Sequence, residues 1–454
     1  MLMTISSNSG LPKFLPTLIP TLLLLLLPLF FHTTYSQTTN YTQSRQALEI
    51  IIGGGGDPTS PPPDCPPPPP QPEPLIFESK RIEQAYYVIQ RFKKKITCDP
   101  KGIKATWQGP DVCRNYKGFF CDTLLSTREK TLAGVTFNGY NFDGPDLSID
   151  GFIDGLQDII VFHANSNGFK GRIPTNIRKL QSLFELDLSN NNYTGGFPYE
   201  ILGASNLTFL DLRFNRFSGS VPVQVFTLDL DVLFINNNLF FQNLPSELGS
   251  SPALYISLAN NGFTGQIPAS IGRAGDTLLE ILLLNNRLSG CLPCEIGNLR
   301  KLTLFDATRN FLTGPIPASF ACLGEMQYLN LGKNELYGPV PEMVCKLPNL
   351  SSLTLSENYF TQVGPECRKL IEKRVLHVDR NCIAGLPGQR SPAECWAFFR
   401  RAKRCADGRW FHWMPCGGQK GHHPPPVRPP LPPPRGHRPP PSPRAYRALD
   451  PYGL

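Results

Sequence analysis

Residues 183–198 read LFELDLSNNNYTGGFP, and 24 positions later residues 207–222 read LTFLDLRFNRFSGSVP. Residue types recur at fixed offsets, which condense to the template L-x-x-L-x-L-x-x-N-x-L-x-G-x-x-P. The asparagine at its ninth position occurs at Asn167, Asn191, Asn215, Asn238, Asn261, Asn286, Asn310, Asn334 and Asn358, with gaps of 23 to 25 residues. An irregular earlier copy, LAGVTFNGYNFDGP at 132–145, brings the expected number of units to ten.

A period of about 24 residues with this pattern is that of a leucine-rich repeat. The expected fold class is α/β: a solenoid of about ten 24-residue repeats with a concave parallel β-sheet. Disulfide-containing caps close its ends, and disordered Pro-rich flanks extend beyond them. The segment around template positions 4 to 6 forms a short strand, and strands stack about 4.8 Å apart, so ten copies span roughly 50 Å. The asparagine bonds backbone groups that the turn out of the strand leaves unpaired. An unsatisfied buried peptide group costs about 1–3 kcal/mol, so the position answers to architecture.

The flanks differ in kind. Residues 1–36 have the layout of a secretory signal peptide: a polar start with Lys13, an apolar run to Phe31, and small residues at Thr34 and Ser36. Residues 37–75 are a Gly/Pro-rich linker that cannot bury a core. Residues 76–131 form an N-terminal cap, with apolar positions 82, 85, 86, 89, 92 and 96 marking an amphipathic helix. The repeats occupy 132–366, a Cys-rich C-terminal cap 367–416, and a basic Pro-rich tail 417–454. After signal removal no membrane span is expected.

Thirteen cysteines suit an oxidising compartment. The disulfide candidates are Cys113, Cys121, Cys345, Cys367, Cys382 and Cys395. Cys113 and Cys121 are close enough for a local pair, whereas the remaining spacings leave the pairing open. The odd total leaves at least one thiol over. Asn40, Asn192, Asn206 and Asn349 are glycosylation candidates in Asn-x-Ser/Thr context. The net charge of +8 is unevenly distributed: residues 132–366 hold 13 basic and 21 acidic side chains, whereas 367–454 hold 17 and 5. In a secreted chain a basic end points to an acidic polysaccharide such as pectin, not to nucleic acid.

Template positions 3, 5, 7 and 8 point away from the core. They supply the candidate ligand-binding residues of the concave face: Glu185, Asp187, Phe209, Asp211, Arg213, Phe214, Phe234, Tyr255, Glu280, Asp306 and Tyr328. Carboxylates mixed with aromatic rings on a stiff hollow suit a cationic secreted peptide, with rings anchoring and charges steering. Catalysis has little support. His163 near Asp187 has no accompanying Gly-x-Ser-x-Gly elbow, and His412, His422 and His423 near Cys405 and Cys416 match no tight zinc spacing. No enzyme activity, cofactor or metal is expected.

Several segments go beyond the generic repeat: TWQGPDVCRNYKGFFCD, VFHANSNGFKGRIP, DVLFINNNLFFQNLP and RNCIAGLPGQRSPAECWAF. Together with the stretches quoted first, they resemble the repeat domain of plant leucine-rich repeat extensins, from about residue 80 to 400. The resemblance implies an apoplastic, cell-wall protein. It also implies a repeat domain that binds small basic signalling peptides of the rapid alkalinisation factor type, often as a homodimer. The tail departs from the family, with one Ser-Pro step where extensins carry long Ser-Pro runs. Ionic retention through Arg428, Arg435, Arg438, Arg444 and Arg447 therefore stands in for covalent anchoring. Two other readings compete: a defence protein resembling polygalacturonase inhibitors, and a structural wall component that holds pectin.

Overall fold

The structure is a computed structural model in which residues 75–405 and residue 416 are described. The signal peptide, most of the linker, the basic tail, Asn40, and His412, His422 and His423 lie outside these residues.

The amphipathic spacing produces a helix at Lys80–Lys93 whose N-cap, Ser79, accepts a hydrogen bond from Ile82 N. Its buried face includes Ile82, Val88, Ile89 and Phe92. Phe92 stacks on Phe152 at 3.8 Å between ring centroids, and Trp107 packs beside Phe119, Phe137 and Phe142. These rings close the first coil, which could not bury its own core. Lys93 and Lys95 donate to the carbonyls of Trp107 and Asp150, respectively.

The concave wall is a twelve-stranded sheet. Its first strand, Phe119–Thr123, runs antiparallel to Lys130–Thr136, and every later pairing is parallel. The strands are short, three residues each at Val161–His163, Glu185–Asp187, Phe209–Asp211 and Val232–Phe234, and they pair in register. On the opposite side, 3-10 turns such as Tyr199–Gly203 follow the template proline. A flank sheet of four strands runs from Lys170–Gly171 to Leu239–Phe240, and one of five runs from Thr264–Gly265 to Tyr359–Gln362. Between the two flank sheets, where Gln242 replaces the template glycine, the ladder narrows to a single bridge from Asn243 to Thr264. Where the glycine is kept from Gly171 to Gly338 it adopts positive φ, as at Gly219 with 80°.

The ladder is built as the repeat implies. Asn215 Nδ2 donates to the carbonyls of Leu188, Leu212 and Arg213, and its Oδ1 accepts from Tyr193 N. One side chain thus joins its own coil to the preceding one, and the repetition of these bonds at each coil links the whole stack. The residue before each ladder asparagine is left-handed, with φ between 51° and 60° from Ser166 to Arg380.

The sequence pattern counted ten units. The structure adds an eleventh parallel strand, Leu376–His377, so the coil runs on past residue 366. Asn381 repeats the ladder bonds there, donating to Leu355 O and Val378 O and accepting from Phe360 N. Template position 1 of this unit is Lys373 in place of a leucine, and the helix Pro365–Glu372 runs directly into it.

The chain then doubles back over the flank. The helix Pro392–Phe399 opens with a Ser391/Glu394 capping box. Phe398 stacks on Tyr359 at 3.6 Å, and the Arg390 guanidinium lies 4.3 Å from the centroid of the Tyr359 ring. All six candidate cysteines pair, as Cys113–Cys121, Cys345–Cys367 and Cys382–Cys395. Two long-range bridges, Cys291–Cys405 and Cys322–Cys416, strap the C-terminal segment onto earlier coils. No helix among the described residues is long and apolar enough to cross a membrane.

Candidate ligand-binding face

Parallel, in-register pairing turns template positions into rows across the concave wall. Position 3 aligns Val161, Glu185, Phe209, Val232, Tyr255 and Glu280. Position 5 aligns His163, Asp187, Asp211, Phe234 and Ser257. Among the predicted residues, Glu185, Phe209, Phe234, Tyr255, Glu280 and Asp306 are partly exposed. Phe214 and Tyr328 are the most open of the rings, at 50% and 44% exposure.

Asp187 and Asp211 require a correction. They were expected as carboxylates facing a ligand, but Asp187 is 7% exposed and Asp211 0%. The reason is local. Asp187 Oδ1 accepts from Ser189 N at 2.9 Å, Asp211 Oδ1 from Arg213 N at 3.0 Å, and Asp306 Oδ1 from Thr308 N at 2.9 Å. An aspartate at position 5 thus closes the turn that follows its own strand, as short acidic side chains commonly do.

The second carboxylate oxygens are neutralised sideways. Asn165 Nδ2 donates to Asp187 Oδ2 at 2.7 Å. Arg213 Nε lies 2.8 Å from Asp211 Oδ2, near enough for an ion pair but out of line for a hydrogen bond. The Arg213 guanidinium also sits 5.1 Å from the Phe234 ring centroid, a cation–π arrangement. His163 Nε2 approaches Glu185 Oε2 at 2.8 Å, and its ring lies 6.0 Å from that of Phe209. Burial pushes the Asp211 carboxyl up to about 7, with the neighbouring Asp187 adding to the rise. Arg213, its own backbone bond and His163 oppose it.

His163 and Phe120 belong to this face although the sequence reading gave them no role in it. His163 is the register neighbour of Asp187, as their shared template position 5 implies. Phe120 covers Gly134, where a Cβ would meet the ring at 1.8 Å. It packs with Val161 and Phe184 to extend an apolar floor toward the N-terminal edge. Of the glycosylation candidates, Asn206 Nδ2 donates to Gln181 O and Asn349 Nδ2 to Gly324 O, each one coil back. Asn192 begins the flank strand Asn192–Gly195.

A stacked coil with an asparagine ladder, one concave, almost wholly parallel sheet and capped ends defines a leucine-rich repeat protein. The Leucine Rich Repeat family profile matches residues 206–228. Leucine-rich repeat extensin-like protein 6 of Arabidopsis thaliana is 53% identical over 328 residues, covering 72% of this chain and 68% of that protein. Leucine-rich repeat extensin-like protein 2 of the same plant is 45% identical over 240 residues, 52% of this chain and 30% of the relative. The chain belongs to the leucine-rich repeat extensin-like family, although it spans under a third of that second, longer relative. Among solved structures, the ectodomain of the Arabidopsis receptor kinase GASSHO1/SCHENGEN3 in complex with CASPARIAN STRIP INTEGRITY FACTOR 2 is 26% identical, with a TM-score of 0.58. The match covers 66% of this chain and 36% of that one. The plant peptide hormone receptor RGFR1 in complex with RGF2 is also 26% identical, with a TM-score of 0.51 over 56% of this chain and 40% of that one.

Proposed function

We propose that this chain is a secreted, wall-associated, non-catalytic binding protein whose concave face takes a small cationic signalling peptide of the rapid alkalinisation factor type. The supporting observation is the partly exposed row of Glu185, Phe209, Val232, Tyr255 and Glu280, with Phe234 in the adjacent row, on a stiff in-register sheet. Rings of this kind supply large contact area at low entropic cost, and the carboxylates at both ends of the row favour a basic partner. One similar structure is that of a plant peptide hormone receptor in complex with RGF2, which supports the same reading. Phe214 and Tyr328 extend the surface, while Asp187 and Asp211 act from beneath it by holding Arg213 and the strand ends in place. The basic tail holds the protein to pectin ionically.

Calorimetric titration of a basic, disulfide-containing peptide into the full chain tests the reading. The double variant Phe209→Ser/Phe234→Ser is expected to bind at least about tenfold more weakly while keeping its melting transition within a few degrees. Unchanged affinity in the folded variant overturns the assignment.

A further inference from the structure

The C-terminal strap carries a second surface, distinct from the concave wall. Arg400, Arg401, Lys403 and Arg404 are all exposed, and among the described residues none lies within ion-pair distance of a carboxylate. This contrasts with Arg81, Lys130, Lys170 and Lys333, each of which meets an acidic side chain. Beside the four cations Trp396 is 64% exposed, with the Arg400 guanidinium 4.6 Å from its ring centroid. The group is not a loose tail. The Phe398–Tyr359 stack and the Cys382–Cys395 bridge fix its helix. The Tyr337 hydroxyl donates to Lys403 O at 3.1 Å, and Cys405 is bonded to Cys291. Among the described residues, four like charges are therefore held together on a rigid flank without a carboxylate partner, an arrangement a polyanion relieves.

We propose that this strap is a binding site for an acidic polysaccharide rich in uronate. Arginine forks match carboxylates in bidentate fashion, and an exposed indole offers a flat apolar face to a sugar ring. Five disulfides place the folded chain among proteins of oxidising compartments, where carboxylated polysaccharide is a more available polyanion than nucleic acid. The site stands apart from both the concave peptide site and ionic retention by the tail.

The test is affinity chromatography of the full chain on immobilised polygalacturonate, in a background where Arg428, Arg435, Arg438, Arg444 and Arg447 are changed to Gln. This background is expected to remain bound at low salt. Adding Arg400→Gln, Arg401→Gln, Lys403→Gln and Arg404→Gln is expected to weaken retention about tenfold, with peptide binding to the concave face and the melting transition preserved. Trp396→Ala is expected to lower retention further as salt rises, because stacking persists where charge is screened. Fully methyl-esterified polymer is expected to retain neither protein. Unchanged retention of the fourfold variant overturns the site. Equal retention on dextran sulfate, with Trp396→Ala silent, overturns the uronate assignment.

Discussion

The concave wall and the C-terminal flank treat charge in opposite ways. On the wall, Asp211 is wholly buried against Arg213, Asp187 bonds Asn165, and Glu185 meets His163. On the flank, Arg400, Arg401, Lys403 and Arg404 are exposed and meet no carboxylate among the described residues. On the proposed readings the wall would recognise chiefly by rings and shape, with most of its charges committed to structure and Glu280 left to favour a basic partner, while the flank would act through an uncompensated field. The former should be weakly sensitive to salt and the latter strongly so.

The largest expected effect comes from cutting the flank away from the coils. Cys291 and Cys405 close a loop of 114 residues, for which loop entropy alone suggests roughly 4–5 kcal/mol. The double variant Cys291→Ala/Cys405→Ala should lose amide protection along the flank strands Arg287–Cys291 to Tyr359–Gln362. The wall strands Val161–His163 to Val232–Phe234 should keep theirs. Uniform loss over both regions would break the distinction.

Next in size is the pH response of Asp211. Its folded value, about 7, lies above the ordinary 3.8. The folded state therefore binds the extra proton, and the resulting stability is fully present below pH 4 and lost as pH rises through 7. Asp211→Asn should flatten that loss and leave the variant more stable than the parent at pH 8, by one to a few kcal/mol at about 1.4 per pH unit. Denaturant melts at pH 4, 6 and 8 read this directly. A parent whose stability rises between pH 4 and 8 in step with the variant would show that the burial of Asp211 carries no such penalty.

A smaller effect is expected at Phe214, which holds φ 53° while half exposed. A left-handed bulky residue costs about 1–2 kcal/mol, so Phe214→Gly should be neutral to slightly stabilising. It should nevertheless weaken peptide binding, since the ring is then absent from the wall. Binding and stability both falling would mean that the ring is structural. The smallest expected change is in the stability of the fourfold strap variant. Exposed substitutions away from buried partners lie within about 0.5 kcal/mol, and a thermal melt checks it.

Much of the fold was legible in the sequence, because one ladder asparagine per coil fixes the period and the period fixes the register. Asn381 escaped because its unit opens with Lys373 and follows a helix, although Leu376, Val378, Asn381 and Ile383 keep the remaining template positions. The surface was harder to read, because template position gives the direction of a side chain but not what its neighbours do with it. Asp187, Asp211 and Asp306 share position 5 and share one backbone bond. That recurrence was the available signal for a structural role. The flank bridges Cys291–Cys405 and Cys322–Cys416 could not be read, since nothing in the spacing brings residues 114 and 94 positions apart together.

The most direct measurement of the central claim is hydrogen exchange on the full chain with and without a saturating basic, disulfide-containing peptide. Added protection is expected in the wall strands Glu185–Asp187, Phe209–Asp211, Val232–Phe234 and Tyr255–Ser257, and none on the strap helix Pro392–Phe399. Protection confined to the strap or to the convex turns, with the wall unchanged, would contradict that claim.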